Sequence, residues 1–369
     1  MSNKLFRKFV LVIFAFLMLS IFGGLGIDVE LVKYFGVLFG VLLLVLVWLQ
    51  KRKILLPPFI LLYSLFLLLF LINSFVISVN TKKSLEVFSL FLSGGLFWIV
   101  SYNLKKELTA RFDKLIILLG LVFAGLYFYN NFFGDPSTVK PWSLYLNYSA
   151  YRNHNNIGDL WAVVLIVVIY HLLKNPRNVL LWPKTLLGGY LLYLSQSRAA
   201  LVALASGVLF LGSKKGWVEK YKKVLAVFLI IASLLFLKIG AQKTTLLTRQ
   251  YYIQGILGFI HNPEGVGIGN FDVISRNPEN HILGLSHFSS VAHSLPLEIV
   301  SGLGILGFVF VYWLIKVLQE VWNNTNKNNL VYRAVFITLF VNFFFHSTYL
   351  VPTMLWLWFG SLGLSQSDN

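Results

Sequence analysis

Three clusters of side chains, far apart in this chain, could act together on a phosphorylated or hydroxylated substrate. The first is Ser195-Gln196-Ser197-Arg198-Ala199-Ala200, where Arg198 separates two apolar stretches, 185–194 and 199–212. Each stretch is shorter than the about 20 apolar residues of a full membrane crossing. Two short helices meeting at Arg198 would leave its guanidinium recessed below a membrane face. A cation placed there is costly and by default functional, and its planar fork of donors matches phosphate oxygens. The plainer reading is an arginine snorkelling to the interface from a helix end.

The second cluster is Thr248-Arg249-Gln250-Tyr251-Tyr252, followed by Pro263-Glu264-Gly265-Val266-Gly267-Ile268-Gly269-Asn270-Phe271. Arg249 is a candidate second phosphate clamp, or else a solvated loop charge. Alternating glycines permit a tight turn or a close approach of backbone to a ligand, which makes Gly267 and Gly269 candidate binding positions. As a nucleotide loop the run is weak, because no strand–helix context surrounds it. The third cluster is His293-Ser294, then nine residues, Gly304, two residues and Gly307. His293 stands where a polar loop enters an apolar helix, and a neutral imidazole there can take a proton from a hydroxyl. The plainer reading is an interfacial histidine bonded to backbone. The glycines that follow read as small residues that let membrane helices approach closely.

Other groupings are less specific. Arg152, His154, Asn155 and Asp159 gather where a loop meets an apolar run, and Asp159 could hold Arg152 towards a site or belong to a helix N-cap cluster. His261, His281, His287 and His293 lie close in sequence, but no carboxylate or cysteine stands at a metal-ligand spacing. No metal is expected. A Gly-x-Ser-x-Gly elbow is missing too, so a hydrolase triad has no anchor.

These groups must be positioned by membrane helices. The chain has 369 residues, 57% hydrophobic and 12% charged, with no cysteine. A soluble domain carries roughly 25% charged residues, so an ordinary water-soluble globule is excluded. Apolar runs near 9–27, 34–50, 54–79, 85–103, 115–133, 156–173, 179–195, 199–212, 223–240, 293–316, 330–347 and 350–364 predict an all-α, polytopic protein with about twelve crossings, a single integral membrane domain over 1–369. The first run follows Lys4, Arg7 and Lys8 but lacks a small-x-small cleavage site, and reads as a retained helix.

With the N-terminus in the cytoplasm, the inner segments collect 21 of the 31 basic residues. The net charge of +17 is then mostly a topology signal, and nucleic-acid binding loses its motivation. Both termini are expected inside. The outer face receives two long segments, 134–155 and 241–292, the latter between crossings nine and ten. Both are rich in Tyr, Trp, Phe, His and Asn, and are expected to fold onto the membrane face rather than stay disordered. Arg198, Arg249 and His293 all fall towards that outer face. A transporter or lipid flippase, whose sites lie at mid-membrane in repeated halves, fits less well, because no internal repeat is visible.

Taken in order, the three clusters resemble the O-antigen ligase and polymerase family of bacterial envelope glycosyltransferases. Ser197-Arg198 followed by a small-residue helix is similar to that family's short outer-loop Ser-Arg. Arg249 with Pro263 and Gly265-Val266-Gly267-Ile268-Gly269 resembles its Arg…Pro-x-x-Gly-x-Gly stretch. His293-Ser294-x9-Gly304-x2-Gly307 fits the ligase signature, although Ser294 stands where Asn is commoner, Pro296 where an aromatic often stands and Gly302 where an acidic residue often stands.

The resemblance implies transfer of a glycan from an undecaprenyl-diphosphate carrier to an acceptor hydroxyl at the periplasmic face of the inner membrane. For a ligase the acceptor is a lipid A core sugar; for a polymerase it is another lipid-linked chain. No nucleotide, metal or other cofactor is implied, and the partners are the lipid-linked donor, the acceptor and membrane lipids. Carried over, Arg198 and Arg249 bind the diphosphate and His293 activates the acceptor; beside them Ser197, Arg152, Asn155, Gly267, Gly269 and Ser294 are the candidate substrate-binding residues. The complete His-Ser-x9-Gly-x2-Gly favours ligase over polymerase.

Overall fold

The computed structural model describes residues 29–133, 154–195, 197–214, 250–281 and 288–366. The expected crossings 9–27 and 223–240, together with Arg152, Arg249 and His287, lie outside the described residues. Within them the chain is helical, with no strand. We number the helices α1 (Val29–Lys51), α2 (Ile60–Val76), α3 (Thr81–Asn103), α4 (Lys105–Phe133), α5 (His154–Lys174), α6 (Leu181–Ser195), α7 (Arg198–Lys214), α8 (Gln250–His261), α9 (Phe271–Arg276), α10 (Leu295–Leu303), α11 (Phe308–Asn323), α12 (Leu330–Phe345) and α13 (Pro352–Ser365).

Helices follow the apolar runs because a chain in lipid must satisfy its backbone internally. Among the described residues, three segments are long and apolar enough to cross a membrane alone: Lys33–Lys51, Thr81–Asn103 and Leu295–Asn323. The third is not continuous. A 3-10 turn at Gly304–Gly307 separates α10 from α11, where the sequence suggests one helix.

The core is built around α13, every residue of which is buried. A helix that is apolar all round belongs in an interior. Its 14 residues span only about 21 Å, so α13 is a central post rather than a lipid-facing span. Glycines let its neighbours close in: a Cβ on Gly94 of α3 would fall 2.4 Å from the Phe359 ring, and one on Gly36 of α1 would fall 2.3 Å from Trp356. Trp356 Nε1 donates to Ser93 Oγ at 2.8 Å. On the outside, α1 presents Leu38, Val41, Val45, Trp48 and Leu49, all exposed.

The bundle has two chemically different ends. At one, Lys51 donates to the Asn103 carbonyl and Lys105 to that of Gln366. Gln366 Nε2 donates to Glu320, Arg333 to the Asn326 carbonyl and Lys214 to that of Trp322. This end gathers basic residues that the sequence places in the cytoplasm. At the opposite end lie the start of α3, the α6–α7 junction, the start of α10 and the α12–α13 junction.

Candidate active site

The α6–α7 junction is set by serine chemistry. Ser195 Oγ donates to the Leu192 carbonyl at 2.7 Å and accepts from Ser197 N–H at 3.2 Å, which closes α6. Ser197 Oγ then accepts from Ala200 N–H at 3.2 Å, capping α7. Arg198 is thus the first residue of α7 and is half-buried. A guanidinium beside the positive end of a helix dipole makes the position favourable for an anion.

The junction packs on α5. A Cβ on Gly158 would fall 2.5 Å from Ser195 Oγ and 2.7 Å from Ser197 Cβ, so only glycine lets α5 come this close. The next residue, Asp159, is 1% exposed. Its Oδ1 accepts from Asn342 Nδ2 at 2.6 Å and from Ser197 Oγ at 3.5 Å. Its Oδ2 accepts from Thr348 Oγ1 at 3.0 Å and from His346 Nδ1 at 2.9 Å. Asp159 is therefore neither a simple capping residue nor merely available for Arg152. It joins α5, the Ser197-Arg198 junction and the end of α12.

Since an ionised carboxylate only accepts hydrogen bonds, Nδ1 of His346 carries the proton. The His346 ring stands 6.1 Å from that of His293, centroid to centroid. His293 is half-buried and its ring packs, tilted, at 4.6 Å against that of Tyr251 at the start of α8. Its backbone is left-handed, φ 52°, uncommon for a residue with a Cβ. That conformation turns the chain into α10, whose N-cap is the buried Ser294.

A second buried carboxylate holds this turn. Glu298, 2% exposed, accepts from Ala292 N–H at 2.8 Å, Gly269 N–H at 3.2 Å and the Tyr349 hydroxyl at 3.3 Å. The residue next to His293 is thereby tied to the glycine loop. Gly265, Gly267 and Gly269 have φ of 85°, 88° and 88°, values open to glycine. Gly267 N–H donates to the Gly302 carbonyl and Ile305 N–H to that of Pro263, both at 2.8 Å. Gly304, φ 63°, lies so close that a Cβ would fall 1.9 Å from Pro263 O. The close approach expected of Gly304 is present, and its partner is the loop backbone. Ser84 Oγ closes the other side, donating to the Ile268 carbonyl at 2.7 Å. The N–H groups of Gly267 and Gly269 are thus used inside the protein, where they shape the turn that carries His293.

Two other histidines of the cluster, His261 and His281, brace the same region. His261 Nδ1 is 2.8 Å from Asn280 Oδ1, and His281 Nε2 is 2.9 Å from the Ser275 carbonyl. Among the described residues, no three His, Asp or Glu side chains are grouped to hold a metal ion. Asn155 lies in the first turn of α5, a turn before Asp159.

The arrangement therefore offers an arginine at a helix N-terminus, a partly accessible imidazole, and a second imidazole oriented by a buried carboxylate. Asn342, His346 and Thr348 escape a motif reading because Phe343-Phe344-Phe345 separates the first from the other two, and the short polar run His346-Ser347-Thr348 reads as a helix end. The four-residue spacing of Asn342 and His346, which sets both at the end of one apolar helix, is the signal that could have found these two.

No curated protein matches the chain. Residues 184–312 match the family model described as O-antigen ligase, a stretch that includes Ser197-Arg198, the glycine loop, His293 and Gly307. Over this stretch, from within α6 to the first turn of α11, the chain is thus similar to the O-antigen ligase family, the same family that its three motifs resemble.

Proposed function

We propose that this protein is an O-antigen ligase-type glycosyltransferase. It moves a glycan from undecaprenyl diphosphate to a hydroxyl of a lipid A core sugar at the periplasmic face of the inner membrane. The observation that carries this reading is the convergence on Asp159: its carboxylate bonds Ser197 beside Arg198 and, through His346, stands next to His293. Two motifs about a hundred residues apart in sequence thus belong to one end of one bundle.

An anomeric carbon bearing diphosphate is already activated. The enzyme must stabilise charge on the leaving group and orient the acceptor. In this reading the acceptor oxygen attacks the anomeric carbon, the new glycosidic bond forms, and the bond to the diphosphate oxygen breaks. Arg198 and Arg249 take up the developing negative charge. His293 receives the acceptor proton, and the Asp159–His346 pair stands next to it. A single displacement inverts the anomeric configuration and needs no metal or cofactor.

The twelve-span topology belongs to the same proposal, with the basic end of the bundle in the cytoplasm and the Asp159–His293 end outside. The lipopolysaccharide profile of a deletion strain tests the function. A ligase loss leaves an intact core without polymer while lipid-linked polymer accumulates. Core bearing a single repeat unit would instead identify a polymerase and contradict the ligase assignment.

A further inference from the structure

At the basic end of the bundle, remote from His293 and His346, α4, α5 and α12 border an open cavity of about 480 Å³. It is lined by Asp113, Lys114, His171, Lys174, Asn328 and Tyr332, among others. Asp113 Oδ2 pairs with His171 Nε2 at 2.9 Å. Its Oδ1 is buried without a hydrogen-bond partner. The Tyr332 hydroxyl, which donates to the Thr109 carbonyl, lies beside Asp113. A buried acceptor left in this state is costly, and a ligand that donates a hydrogen bond relieves it.

Lys114 and Lys174 stand exposed at the same cavity. Two ammonium groups against one carboxylate leave a net positive site, which favours a ligand that also carries a phosphate. Below Lys114, one face of α4 continues with Leu118 and Leu121, 49% and 38% exposed, at the four- and seven-residue steps of one helical stripe. Leu173, 37% exposed, precedes Lys174. A polar head site with an apolar track leading from it matches a phospholipid better than a free anion.

We infer that this cavity is a headgroup site for an anionic glycerophospholipid of the phosphatidylglycerol type, its phosphate on Lys114 and Lys174 and its glycerol hydroxyl on Asp113. Basic pockets between membrane helices on the cytoplasmic side commonly take such heads. The site is independent of the glycosyl-transfer reading and survives its failure.

The test uses the full chain in non-ionic detergent, titrated with short-chain phosphatidylglycerol while the thermal midpoint is followed. Binding raises the midpoint by mass action. In the Lys114→Gln/Lys174→Gln variant, which alters exposed side chains only, the apparent affinity falls roughly 30-fold. Glycerol 3-phosphate and short-chain phosphatidylcholine give no comparable shift. An equal shift with glycerol 3-phosphate would mean a free-anion site and overturn the lipid. An equal shift with phosphatidylcholine would overturn the anionic head. An unchanged affinity in the double variant would remove the site from this cavity. Native mass spectrometry of the wild-type protein, which needs no variant, should find retained phosphatidylglycerol; its complete absence also overturns the inference.

Discussion

Asp159 and His346, 187 residues apart in sequence, share a 2.9 Å hydrogen bond in which both partners are buried. With Ser197, Asn342 and Thr348 on the same carboxylate, Asp159 satisfies four donors from two distant parts of the sequence. A carboxylate so placed fixes helix positions and imidazole orientation together.

Asp159→Asn should therefore damage both. An amide presents donors where the carboxylate accepts, and breaking a buried pair costs about 3–5 kcal/mol. The thermal midpoint should fall well below that of the wild type, and glycan transfer should fall with it. Retention of both at wild-type levels would show that the network is dispensable.

Arg198→Lys separates two roles. If the guanidinium clamps a diphosphate, a point charge does not replace the bidentate fork, and transfer should drop by roughly 10²-fold at equal expression. An arginine that only snorkels is replaced by lysine without loss. Near-normal transfer by the lysine variant would take Arg198 out of the site.

Glu298→Ala removes the acceptor of Ala292 N–H, Gly269 N–H and Tyr349. Each buried donor left unsatisfied costs about 1–3 kcal/mol, so the variant should unfold at a markedly lower temperature. Tyr349→Phe, which removes one of the three donors instead of the acceptor, should cost much less. Equal midpoints for the two variants would contradict the bracing role of Glu298.

Sidedness can be read by cysteine labelling, since the chain has no cysteine of its own. Ile260, exposed on α8, and Arg177, exposed at the basic end, should react as cysteines from opposite faces, Ile260→Cys from the periplasm. Reaction of both from one face would overturn the assigned topology.

Much of the scaffold is legible in the sequence because lipid forces apolar runs into helices. The expected runs 34–50, 85–103, 199–212 and 350–364 coincide closely with α1, α3, α7 and α13. The short helices meeting at Arg198 and the position of His293 before a helix are legible for the same reason, each marked by a polar break in an apolar pattern. The break at Gly304 is not, since its cause is a tertiary contact with Pro263. Nor is the pairing of Asp159 with His346, because a lone His after Phe343-Phe344-Phe345 reads as a helix end. Both residues also lie outside the matched stretch 184–312, so a motif search alone describes only part of the site.

The central claim is that His293 receives the acceptor proton at this end of the bundle. Its most direct test is glycan transfer from a lipid-linked donor in purified membranes by His293→Ala, beside His261→Ala and His281→Ala at matched protein levels and with EDTA present. General-base contributions run about 10²–10⁴-fold. His293→Ala should lose activity on that scale while still binding the donor, the other two variants should keep most of theirs, and EDTA should change none of them. Substantial transfer by His293→Ala, or equal loss in all three variants, would contradict the account.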